Sequence, residues 1–368
     1  MNLKKKLLVA ALATAMVFPT VSMASKLNVQ RYSGSSRVET AVNVSKDQFA
    51  SAKSAILVNQ LAFPDALSAT VLSKGTMPVL FSESNNISAD TLNQLKSMGV
   101  ENVYVLGGEK SVSSAVVNSV KSATNAKVVR INGADRYKTN AQTIKDNVKQ
   151  TSEVVIASGE IYVDALYGVS YANKVNAPVM LVQKNNIPAE TLKVLKSMNV
   201  TRITIIGGEK TITPKLEKEL SEIAVVDRIA GSNRYEGSLK VAKEVYGNKL
   251  KTALVASGEN FADALVAAPV SQKLDAPILL ASRNSVEASI ISYLRDNKEL
   301  SNIKVFGGVN AIGSKVFKDL ENSYYTVGEN GEKIIDGGTI IVEKVKNNST
   351  DKPTGRITCS CGSWPTVW

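Results

Sequence analysis

The 368-residue chain holds 44 Lys and Arg against 33 Asp and Glu, no histidine and two cysteines. Without imidazole there is no Ser-His-Asp or Cys-His arrangement, no histidine-ligated zinc and no histidine general base. Cys359 and Cys361 both lie in the last ten residues, so the body of the chain has neither disulfides nor thiolate ligands.

Residues 1–24 read as a secretory signal. Lys4, Lys5 and Lys6 form a charged start, and Leu7 to Phe18 is an apolar run too short to span a bilayer. Ser22-Met23-Ala24 then supplies a small-x-small cleavage site. Discounting those three lysines lowers the formal charge from +11 to +8. The surplus is spread as +2 over residues 25–124, +4 over 125–223, +2 over 224–321 and zero beyond. A diffuse positive field favours an extended anionic partner, which outside a cell points to a wall polysaccharide before nucleic acid. A basic balance that only aids solubility is the alternative.

From residue 25 the chain repeats itself. Asn59-Gln60-Leu61-Ala62-Phe63-Pro64-Asp65-Ala66-Leu67 returns as Ser158 to Leu166 and again as Ser257 to Leu265. Each copy leads to an apolar quartet: Pro78-Val79-Leu80-Phe81, Pro178-Val179-Met180-Leu181 and Pro277-Ile278-Leu279-Leu280. Arg37, Arg136 and Arg234 keep the same spacing, as do the Gly-Gly pairs that open at Gly107, Gly207 and Gly307. A unit of about 100 residues is too long for a solenoid turn and suits a small domain.

The middle unit shows its elements most clearly. Lys127–Ile131 reads as a strand, Asp135 caps a helix from Arg136 to about Val148, and Glu153–Ala157 is a buried-type strand. A helix led by Asp164, a strand over Pro178–Val182 and a helix from Pro188 follow. A strand over Arg202–Ile206 and a helix from Thr213 to Glu222 complete the unit. Continuous apolar strands alternating with helices imply a parallel sheet covered on both faces. The expectation is three doubly wound α/β modules at 25–124, 125–223 and 224–321, joined by almost no linker. Pro269 falls inside the helix after Asp263, where it is expected to kink or stop it. Residues 322–368 read as a short extension, a small β meander followed by a disordered tail.

Asp65, Asp164 and Asp263 each precede Ala-Leu and a helix, so the first expectation is an N-cap. A ligand-facing carboxylate at a sheet edge is the other. Paired-carboxylate hydrolysis lacks support, because Glu160 and Glu259 have Leu61 as their counterpart in the first unit. Arg37, Arg136 and Arg234 open helices, where they either pair with a neighbouring module's carboxylate or contact an anion. The Gly-Gly pairs lack the spacing of a phosphate loop and read as tight strand-to-loop turns.

These motifs, in tandem behind an export signal, resemble the cell-wall-binding repeat type 2 family over residues 25–321. The resemblance implies Rossmann- or toprim-like modules packed as a pseudo-threefold ring. It also implies non-covalent anchoring of a surface protein of a Gram-positive bacterium to an anionic secondary wall polymer, within an S-layer. It points to the apolar quartets and nearby cations as polymer contacts: Pro78 to Phe81, Pro178 to Leu181 and Pro277 to Leu280, with Lys184 and Arg283. The first unit has Ser84 where those cations stand. Anchoring without catalysis, metal or cofactor is the leading expectation, with other S-layer proteins as further partners. A wall-modifying hydrolase using the sheet-edge Asp and a structural S-layer subunit are the alternatives.

Overall fold

The computed structural model describes residues 27–323 and three short strands at 326–327, 333–335 and 339–341. The expected signal, the tail and both cysteines lie outside the described residues.

Each repeat runs β-α four times. The first comprises β1 (Asn28–Tyr32), α1 (Arg37–Gln48), β2 (Ser54–Asn59), α2 (Phe63–Ser73), β3 (Val79–Ser82), α3 (Ala89–Ser97), β4 (Asn102–Leu106) and α4 (Ser114–Thr124). The second comprises β5 (Lys127–Ile131), α5 (Arg136–Asn147), β6 (Glu153–Ser158), α6 (Tyr162–Val175), β7 (Val179–Val182), α7 (Ala189–Ser197), β8 (Arg202–Ile206) and α8 (Pro214–Ser221). The third comprises β9 (Val225–Ile229), α9 (Arg234–Tyr246), β10 (Thr252–Ser257), α10 (Phe261–Leu274), β11 (Ile278–Ala281), α11 (Ala288–Asp296), β12 (Asn302–Phe306) and α12 (Ser314–Glu321). Asp135 caps α5, its side chain accepting from the Lys138 N–H. Beyond α12, β13 (Thr326–Val327), β14 (Lys333–Ile335) and β15 (Thr339–Ile341) pair as an antiparallel meander.

The sheets do not follow the sequence units. Their strand orders are β3-β2-β4-β5, β7-β6-β8-β9 and β11-β10-β12-β1, all parallel. Every sheet thus takes its fourth strand from the next repeat, and the third sheet takes it from the first. Asn28 pairs with Asn302 and Tyr32 with Phe306, whose rings stack at 5.2 Å. This pairing closes the chain into a ring of three parallel-sheet α/β modules in pseudo-threefold arrangement.

Helices α2, α6 and α10 touch pairwise at the centre of that ring. Their sequences are apolar on nearly all sides, as a helix enclosed by neighbours requires. Residues 64–73 of α2 and 262–271 of α10 are all buried. Phe63, Tyr162 and Phe261, the first residues of the three helices, meet with ring centroids 5.5–6.0 Å apart. Outer helices behave differently: α4 buries only Val116 and Val120, α8 Leu216 and Leu220, and α12 Val316 and Leu320. Pro269 does not stop α10, which continues to Leu274 around it. Enclosure by its neighbours holds the helix together where an isolated one would break.

Edge strands β7 and β11 have some of their outward backbone groups bonded to side chains. Asn140 of α5 donates to the Val179 carbonyl at 3.1 Å and accepts from the Leu181 N–H at 3.0 Å. In the third repeat Ser238 accepts from the Leu280 N–H at 3.0 Å. Exposed strand edges invite pairing with other chains, and these bonds reduce the opportunity. Asn140→Ala leaves a buried donor and acceptor unpaired and is expected to cost about 1–3 kcal/mol, measured by urea unfolding.

Candidate interface clefts between repeats

Open α/β sheets bind ligands beyond the C-terminal ends of their strands. Here those ends meet the opening loop of the next repeat, because the fourth strand belongs to it. One resulting cleft, of about 570 Å³, is lined by Phe63, Asp65, Gly108, Lys110 and Arg136. Its counterpart between the third and first repeats, of about 630 Å³, is lined by Arg37, Glu259, Asp263, Gly308 and Asn310.

The aspartates are not N-caps. Those positions are held by Ala62, Ile161 and Asn260, which makes Asp65, Asp164 and Asp263 the third residues of their helices. They still complement the helix dipole from the first turn. The helices begin earlier than expected because the aromatic residue two places before each Asp packs at the ring's centre.

Each carboxylate instead packs against the first glycine of the Gly-Gly turn. Gly107, Gly207 and Gly307 sit at φ +106°, +127° and +118°, in the region that favours glycine. A Cβ there would lie 2.6, 2.5 and 2.8 Å from the carboxylate oxygen of Asp65, Asp164 and Asp263. Two independent constraints therefore demand glycine. Ser111 donates to Asp65 at 3.1 Å and Thr211 to Asp164 at 2.9 Å, whereas the third repeat has Ala311 at that place. Tyr167 donates to the other oxygen of Asp164 at 2.8 Å. Burial pushes the carboxyls of Asp65 and Asp263 above their ordinary value. Ser111 and then Arg136 oppose that rise at Asp65, and Arg37 opposes it at Asp263.

The helix-opening arginines hold carbonyls. Arg37 donates to Gln60 at 3.0 Å, Arg136 to Gly159 at 2.6 Å and Arg234 to Gly258. Arg37 also lies over the Phe261 ring at 5.6 Å and Arg136 over Phe63 at 5.5 Å. Arginine of one repeat thus reaches the aromatic ring and carboxylate of the repeat before it.

A second arginine triplet escaped the sequence reading. Arg31 donates to the Gly307 and Ile312 carbonyls at 2.7 and 2.8 Å. Arg130 and Arg228 donate to the Gly107 and Gly207 carbonyls, each at 2.7 Å. These residues sit on the exchanged strands and hold the carbonyl of the first glycine in each Gly-Gly turn. The signal was present, since Arg31, Arg130 and Arg228 stand six residues before Arg37, Arg136 and Arg234.

The apolar quartets, expected as polymer contacts, are buried. Pro78, Pro178 and Pro277 are enclosed. Val79, Leu80, Phe81, Val179, Met180, Leu181, Ile278, Leu279 and Leu280 are at most 3% exposed. They form the outer strands, roofed by helices, and as arranged offer a ligand no surface. Lys184 and Arg283 are exposed, on loops whose carbonyls accept from Thr213 and Gly313. Arg283 also approaches Asn310 at 3.5 Å, on the rim of the cleft between the third and first repeats.

Among the described residues no group of three or more His, Cys, Asp and Glu could hold a metal ion, and no helix is long and apolar enough to cross a membrane. What recurs is a cleft at a module seam with one arginine, a buried carboxylate and a fixed glycine turn. That defines a repeated α/β module whose clefts lie at the seams between repeats. The chain belongs to the cell wall binding domain 2 family, whose model matches residues 31–117, 130–217 and 228–317. It is 30% identical over 303 residues to the N-acetylmuramoyl-L-alanine amidase LytC of Bacillus subtilis (strain 168), covering 82% of this chain and 59% of that one. To the amidase enhancer of the same organism it is 29% identical over 312 residues, 84% of this chain and 41% of that one. Among solved structures, Cwp6 from Clostridium difficile superposes with a TM-score of 0.76 at 27% identity, covering 87% of this chain and 51% of that one. Cwp8 from the same organism gives 0.70 at 26%, over 81% and 52%. The chain thus spans about half the length of these relatives.

Two outcomes test this site. Gly307→Ala combines an unfavourable φ with a clash against Asp263 and is expected to lower stability by about 1–3 kcal/mol, read by urea unfolding. For Asp263, a folded pKa above its unfolded value means the folded state holds the proton more tightly. That contribution is complete below the unfolded value and is lost as pH rises through the raised one. Asp263→Asn is therefore expected to match or exceed the parent's Tm at pH 7, and to lose that advantage as pH falls toward 4. A Tm difference that stays constant across the range would contradict it.

Proposed function

We propose that the chain anchors non-covalently to a bacterial cell wall by binding an anionic wall polysaccharide across its three repeats. The observation that carries this reading is the seam cleft that recurs between the first and second and between the third and first repeats, in a chain of the cell wall binding domain 2 family. A ring that presents one polymer with several weak sites holds it far more tightly than any single site. The clefts themselves are not basic: Arg37 faces Glu259 and Asp263, while Arg136 and Lys110 face Asp65, Glu109 and Asp135. Their contribution is a shaped seam with arginine donors, and the chain's positive surplus supplies long-range attraction.

Residence in an S-layer, alongside other S-layer proteins, belongs to the same proposal. A hydrolase using the sheet-edge aspartates has less support, because each carboxylate is turned onto a glycine and two accept bonds from hydroxyls.

Sedimentation with purified Gram-positive cell walls, before and after chemical removal of the anionic polymer, tests the anchoring. Retention is expected on intact walls and lost on stripped ones; equal binding to both would sink the reading. Lys184→Glu with Arg283→Glu alters only exposed side chains and is expected to lower the salt concentration that elutes the protein. An unchanged elution profile would remove those two loops from the interface.

A further inference from the structure

The repeats differ in charge on the face between the first and third helices of each repeat. Between α5 and α7 of the second repeat runs a groove of about 360 Å³, lined by Lys138, Lys145 and Lys193 with Glu190 as its one carboxylate. Its floor includes the buried Ala141 and Val194, and the three lysines are exposed. None of the three forms an ion pair among the described residues.

The other repeats do not carry this charge. Where the second has Ala134 and Lys138, the first has Ser35 and Glu39 and the third Ser232 and Glu236. There the glutamate accepts from the serine N–H, at 2.7 Å in both repeats, so the acidic group is tied into the start of its helix. Glu236 also pairs with Lys240 at 3.1 Å. Lys193 is replaced by Asn93 and Ser292; only the Lys145 position stays cationic, as Lys46 and Lys243. Two differences thus leave a cationic helix face in the second repeat, the one with the largest positive surplus, where the others carry a glutamate tied to the start of the helix.

Gly133 lines both this groove and the cleft between the first and second repeats. The cationic groove and the Arg136 cleft are therefore neighbours on the surface, with Gly133 between them.

We propose that the α5–α7 groove is an anion-binding subsite for the charged groups of a polysaccharide chain that continues over Gly133 into the adjacent cleft. The three repeats then grip unequally, the second holding most of the charge. This deepens the wall-anchoring reading and rests on it.

The test uses the full chain with three defined polymers: polyglycerol phosphate, polygalacturonate and uncharged dextran. Lys138→Gln, Lys145→Gln and Lys193→Gln combined are expected to weaken binding of the charged polymers roughly tenfold, the loss of three exposed ion pairs. A control with Lys46→Gln, Lys96→Gln and Lys243→Gln removes the same charge and is expected to stay within about twofold. Polyglycerol phosphate against polygalacturonate distinguishes phosphate from carboxylate groups. Protection of Lys138, Lys145 and Lys193 from acetylation by bound polymer, with Lys46 and Lys243 still reactive, locates the contact independently of any variant. Equal losses in both triple variants, or no protection of the three lysines, would overturn the groove while leaving wall binding intact. If the parent binds neither charged polymer nor intact walls, the anchoring reading itself fails.

Discussion

Exchange of the first strand between repeats is the constraint on which the rest of this structure depends. A parallel sheet of three strands would end at β4, β8 or β12 with open backbone groups; the neighbour's β5, β9 or β1 fills that place through a register of five residues. Because the donor strand leads directly into the helix that opens the next repeat, pairing also fixes where that helix starts. Each seam therefore brings together a glycine turn, a carboxylate and an arginine from two repeats. No repeat owns a complete sheet or a complete cleft.

Charge at the seam follows from the same arrangement. Asp65 and Asp263 are buried against glycine where a carboxylate is costly, and Arg136 and Arg37 from the following repeats offset part of that cost. Arg31, Arg130 and Arg228 bind the glycine carbonyls from the exchanged strands. The turn thus contacts a carboxylate of its own repeat and an arginine of the next, and for Gly307 the arginine arrives only when the ring closes. Symmetry is incomplete where it is structurally cheap. Ala311 replaces the hydroxyl beside Asp263, Leu61 replaces a glutamate, and the lysines of α5 and α7 break the pattern on an outer surface.

Much of the architecture was legible in the chain. The 99- and 98-residue spacing of Arg37, Arg136 and Arg234 set the repeat count, and strand and helix order followed from alternating apolar runs and turn residues. The candidate site was less legible. Asp263 reads as a cap because Asp commonly caps helices, but Phe261 starts the helix earlier by packing with Phe63 and Tyr162 from the other repeats. Pro277 to Leu280 could not be separated from a ligand-facing loop by composition, since an apolar binding surface and a buried strand use the same residues. Arg31 differs from Arg37 only in what faces it, and that partner is 276 residues away.

By itself the sequence determined what local propensity and periodicity can specify: three copies, an α/β pattern, glycine at each strand end and a positive balance spread over the modules. Tertiary structure decided where each sheet ends, which strand closes it, and which charged groups share a cleft. Those outcomes depend on pairings between residues as distant as Asn28 and Asn302. Local sequence cannot encode them, because a strand's backbone groups are satisfied equally well by any neighbour of suitable register. Only burial of the shared core around α2, α6 and α10 selects the partner that closes the ring.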